Sequence, residues 1–139
     1  MAPGGEVAFC EIELSLSSAE QENFDFVIDK LNELGAPKKS TLRFGSIKEI
    51  QLGVNEGMGI YLNGTDLPRE VYEQGDVNFV IEELLRALDS LGRFHGYWEG
   101  PRETALYFYG PSFAQMREHA SPILASYPLC RKARVDQIA

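Results

Sequence analysis

One pattern that occurs twice constrains this chain most: an amphipathic helix ended by glycine, then two short strand-like runs. "NFDFVIDKLNELG" (23–35) parallels "DVNFVIEELLRALDSLG" (76–92). Phe24, Val27, Ile28, Leu31 and Leu34 recur at helical spacing in the first copy. Val77, Val80, Ile81, Leu84, Leu85, Leu88 and Leu91 do so in the second. Apolar residues at that period mark one buried stripe of a helix. Gly35 and Gly92 supply the stops, because glycine takes up the left-handed turn that ends many helices.

The strand-like runs follow in each copy. After the first helix come "STLRFG" and "IKEIQLGV"; after the second come "RFHGYWEG" and "TALYFYG", joined by "EGPRE" as a hairpin turn. "GIYLNG" and "ALYFYG" each close a strand with glycine. A duplicated helix–strand–strand unit cannot bury its own sheet face, so two copies are expected to share a core.

The remaining elements fit around this repeat. "VAFCEIELSL" (7–16) alternates apolar and polar residues, as a strand with one wet face does. Ser17 with Glu20 has the spacing of a capping box for the first helix. Met58, Ile60 and Leu62 share a strand face. Asp76 is the N-cap candidate of the second helix, and Ser112 of a third, in which Pro122 predicts a kink or a restart. "KARVDQI" closes the chain as a strand.

Residues 57–138 thus run strand, helix, strand, strand, helix, strand, the ferredoxin-like order. The expected fold is α/β (α+β), a duplicated split βαβ unit. It is a ferredoxin-like core with an extra N-terminal strand–helix–strand, and three helices on one face of a mixed sheet of at least five strands. A chain of 139 residues suits one domain, 1–139, with halves at 7–56 and 57–138.

Charge excludes some functions. Thirteen basic residues against twenty-one acidic ones give −8, a sign that repels a phosphate backbone, so nucleic acid is not an expected partner. The same field suits a module that neutralises a basic protein. No run approaches about 18 apolar residues and no secretory signal is visible, so the expected setting is cytoplasmic and not membrane-bound. Cys10 and Cys130 are too few for a disulfide framework. "NGT" at Asn63 matches a glycosylation pattern that needs a secretory route.

No catalytic motif carries weight. His95 and His119 have no histidine or cysteine at ligand spacing, so no metal site and no cofactor is expected. His119 reads as a partly buried structural residue. The glycines of "GVNEGMGIYLNG" precede a strand, whereas a phosphate cradle needs them before a helix. Ser112 reads as a helix cap, and the connector carrying Asp66, Arg69 and Glu70 as a packed loop tied down by Leu67, Val71 and Tyr72.

The hairpin is the richest candidate. Simple alternation puts Phe94, Gly96 and Trp98 on one face and His95, Tyr97 and Glu99 on the other. Ala105, Tyr107 and Tyr109 then share a face, opposite Leu106 and Phe108. Large aromatic area on both faces is unusual for a surface strand and common at interfaces. The expectation is a non-catalytic protein-binding or regulatory module and homodimer, binding through Tyr97, Trp98, Glu99, Arg102, Tyr107 and Tyr109, with a foreign protein as a further partner. The rival is a small-molecule enzyme using His95 and Glu99 as an acid–base pair in a sheet-face pocket.

Overall fold

The computed structural model describes residues 11–15, 21–44 and 48–139. The expected cap at Ser17 and Glu20, Cys10, and most of the strand expected at 7–16 lie outside the described residues. Within that strand, residues 11–15 carry no strand pairing, and Ile12 and Leu14 are exposed. The chain is a mixed α/β fold, with four α-helices and two sheets among the described residues, and divides into two compact units, Met1–Val54 and Asn55–Ala139.

In the first unit, helix α1 (Gln21–Glu33) keeps Phe24, Val27, Ile28 and Leu31 half-buried, as its period requires. Leu34, expected in the same stripe, is 79% exposed because the helix has already ended. Gly35 (φ +89°) turns the chain left-handed. The Ala36 amide then donates to the Leu31 carbonyl at 3.0 Å, the long bond of a Schellman stop. Strands β1 (Ser40–Phe44) and β2 (Lys48–Leu52) form an antiparallel hairpin.

The second unit holds strand β3 (Glu56–Asn63), helix α2 (Arg69–Gln74) and helix α3 (Val77–Leu88). Strands β4 (Arg93–Glu99) and β5 (Glu103–Gly110), helix α4 (Phe113–Ser126) and strand β6 (Arg134–Gln137) follow. Its sheet has the order β4-β5-β3-β6. The Asp76 carboxylate accepts the Asn78 amide at 2.9 Å and the Ser112 hydroxyl accepts the Gln115 amide at 3.3 Å, so both expected caps form. Each satisfies one of the amides that a helix start leaves without a partner. Pro122 sits inside α4, which continues through it.

The core lies on one sheet face. Met58, Ile60 and Leu62 of β3 pair in register beside Phe108, Leu106 and Thr104 of β5. Val80, Leu84 and Leu88 of α3 and Met116 and Ala120 of α4 pack against them. At roughly 25 cal/mol per Å² of apolar surface removed from water, these fully buried side chains are the main stabilising contribution of the unit.

The sheet departs from expectation in two ways. The single mixed sheet of at least five strands is instead a four-stranded and a two-stranded sheet among the described residues, and every described pairing is antiparallel. The reason is connection length. Only three residues separate β1 from β2 and β4 from β5, a spacing that produces antiparallel neighbours, and the helical connection from β3 leads to β4, two places away from it across β5.

Candidate functional site

The candidate surface is the face of the four-stranded sheet away from α3 and α4. Register assigns it. The row Arg134–Tyr61–Ala105–Trp98 crosses all four strands. The next row is Asp136–Gly59–Tyr107–Gly96, and then Gly57–Tyr109–Arg93. Side chains opposite one another in register share a face.

A bulge decides which hairpin residues join it. Phe94 pairs with Phe108, but Gly96 pairs with the next residue, Tyr107, leaving His95 as an extra residue. Gly96 has φ +139°, a backbone that side-chain-bearing residues rarely adopt. The inserted residue shifts the alternation of everything beyond it. Phe94 therefore lies on the core face, its ring 5.4 Å from that of Phe108. Trp98 lies on the other face, beside Ala105. The expectation that Phe94 and Trp98 share a face is corrected by this shift.

His95 and Glu99 are separated by the same bulge. The His95 ring meets Tyr109 edge-on at 4.9 Å, on the face away from the helices. Glu99 pairs with Thr104, on the helix side. The alternation argument for a joint acid–base site at His95 and Glu99 thus loses its geometric basis. The six expected binding residues divide likewise. Trp98, Tyr107 and Tyr109 share the face away from the helices, Tyr97 and Glu99 are on the helix side, and Arg102 is exposed in the turn.

The Tyr61 and Trp98 rings of this face lie over glycines. A Cβ on Gly59 would stand 2.8 Å from the Tyr61 ring, and one on Gly100 only 2.3 Å from the Trp98 ring. Each ring therefore rests directly on backbone, which gives a flat surface with little rotamer freedom left to lose.

Two residues that sequence reasoning did not single out belong here. Tyr61 is nearly buried on this face, and the Arg134 guanidinium stacks over its ring at 3.8 Å. Arg134 also donates to Glu103 at 3.0 and 3.2 Å and pairs with Asp136. Its bond to Glu103 is the main reason its pKa is raised. The alternation of "GMGIYLNG" carried the signal for Tyr61. The position of Arg134 depended on the register of β6, which a four-residue strand does not reveal.

Other expected residues have structural roles. The Asn63 side chain accepts the amides of Thr65 (3.0 Å) and Asp66 (2.8 Å) and donates to the Asp66 carboxylate (3.1 Å). The "NGT" stretch is thus an Asx-type turn. The Asn63 amide, followed by Thr65, holds the Asp66 carboxyl below its usual range. Tyr72 ties the connector down: its hydroxyl donates to the Asn63 carbonyl and accepts the Leu67 amide. Arg69 pairs with Glu73 at 2.7 Å on the exposed side of α2. His119 is exposed rather than partly buried, and its Nδ1 bonds the Gln115 carbonyl one turn back. Burial pushes the Cys130 thiol up to about 11, which keeps it protonated.

A cleft of about 310 Å³ opens at the end of the sheet, between the hairpin turn and the connector. Glu99, Thr104 and Tyr72 line it, with Leu62, Val77 and Leu129 as apolar walls. His95 is not among the lining residues. The described residues contain no group of three or more potential metal ligands and no helix long and apolar enough to cross a membrane. No protein-family model, curated protein or solved structure matches the chain.

Proposed function

We propose that the chain is a non-catalytic protein-binding module whose docking surface is the sheet face away from α3 and α4, and that its first partner is a second copy of itself. The observation that carries this reading is the row structure of that face: half-buried Trp98, Tyr107 and Tyr109 set around Gly57, Gly59 and Gly96, with Tyr61 beneath the Arg134 guanidinium. Flat aromatic area of this kind is the composition of an interface core, with tryptophan and tyrosine as its usual anchors.

Charge selects the second copy. The charged residues of the face are Arg93, Arg134, Glu103 and Asp136, which cancel, whereas the whole chain carries −8. Two like-charged chains meet with least repulsion through such a neutral patch. A basic partner protein would be steered to the acidic remainder, which leaves room for a heterologous partner on the dimer. The element order and the strand order β4-β5-β3-β6 support reading Asn55–Ala139 as a ferredoxin-like split βαβ unit. The helix–strand–strand order of α1, β1 and β2 repeats that of α3, β4 and β5, which supports duplication.

Light scattering across a broad dilution series tests the reading. The expected result is twice the chain mass at high concentration, falling to the chain mass on dilution, with Trp98→Ala shifted to monomer. A single-chain mass at every concentration overturns the self-association. A dimer indifferent to Trp98→Ala and Tyr107→Ala places the interface elsewhere.

A further inference from the structure

We propose that the cleft between the hairpin turn and the connector binds a small alkylammonium ion, its charged head held by Glu99 and Thr104 and its alkyl tail by Leu62, Val77 and Leu129. This site is on the helix side of the sheet and is independent of the docking face.

The polar groups around the cleft sort themselves by what they already hold. The Tyr72 hydroxyl is committed twice, to the Asn63 carbonyl and the Leu67 amide. The Asn63 side chain is committed to the loop through Thr65 and Asp66. Glu103 holds Arg134. Glu99 and Thr104 remain: neither side chain has a hydrogen bond or ion pair among the described residues. They are direct register partners across the hairpin. Their Cβ atoms therefore stand about 5 Å apart, a distance that one ammonium group bridges.

The lining fixes the ligand class. No lysine or arginine lines the cleft among the described residues, so Glu99 has no internal counter-ion there. An ammonium group carries three donors and no acceptor, which matches a carboxylate plus a hydroxyl oxygen. One carboxylate and one hydroxyl are too few oxygens for calcium or magnesium. Leu62 and Leu129 are buried, and Val77 half-buried, so the cleft also offers apolar surface to an alkyl tail. A volume near 310 Å³ is at the small end of ligand cavities and suits a short chain. The −8 charge of the protein raises the local concentration of any cation at the mouth.

The test is an amide NMR titration of the full chain with n-butylammonium chloride, using sodium chloride at matched ionic strength and 1-butanol as controls. Saturable shifts are expected at Gly64, Gly75, Gly100, Thr104 and Leu129, with a Kd on the order of 1 mM. Glu99→Gln should loosen binding about tenfold, because it replaces a charge-assisted bond by a neutral one. Thr104→Val should loosen it less, and 1-butanol should bind more weakly than the amine. Should Glu99→Gln disturb the spectrum at large, Glu99→Asp makes the same comparison by withdrawing the charge one methylene. Shifts that never saturate, saturable shifts confined to other residues, or unchanged affinity in the Glu99 variant would each overturn the proposal.

Discussion

Gly96→Ala isolates the cost of the bulge that assigns the hairpin residues to their faces. A Cβ built at Gly96 meets nothing within 4 Å, so the substitution adds no clash. The whole penalty is backbone strain at φ +139°. Holding a side-chain-bearing residue in such a region costs about 1–3 kcal/mol, and alanine also restricts the unfolded chain by a few tenths in the opposite sense. A net loss of about 1–2 kcal/mol is expected. Urea unfolding measures it as a lower midpoint at constant slope. A neutral Gly96→Ala would refute the bulge geometry and with it the placement of Trp98 and His95.

Three further outcomes rest on the same structure. Asp76→Ala should remove the α3 cap and lower stability by about 1 kcal/mol in urea unfolding, while Asp76→Asn, which keeps an acceptor, should lose much less. In a Cys10→Ser background, Cys130 should react with a thiol reagent slowly in the native state and fast after denaturation. Its folded pKa, near 11, is raised above the ordinary 9.0, so the native state holds the proton longer. The corresponding stability is fully present below pH 9 and is lost as pH rises toward 11, which a Cys130→Ala comparison across that window should show.

What could be read in the sequence was whatever local chemistry decides. Asp76 and Ser112 were legible as caps because a cap needs only its own side chain and an amide two or three residues on. The face of Met58, Ile60 and Leu62 was legible because β3 alternates without interruption. β4 was misread at one point: a period of two cannot show an inserted residue, and one insertion sends every later side chain to the other face. Gly96 within a strand was the available sign of a bulge. Glu99 was read with His95 for that reason, whereas the fold sets it beside Thr104 at a cleft with mixed polar and apolar lining. Arg134 escaped notice because its partners Tyr61 and Glu103 are distant in sequence and meet it only through β6 pairing.

Trp98 is the only tryptophan in the chain and sits on the proposed docking face, so its fluorescence reports that face alone. The direct test follows its emission and acrylamide quenching across a dilution series, with mass measured on the same samples by sedimentation. The account predicts that emission shifts to the blue and quenching falls as the chain is concentrated, both in step with the rise to twice the chain mass. A mass that doubles while Trp98 emission and quenching stay constant would place the contact elsewhere and contradict the account.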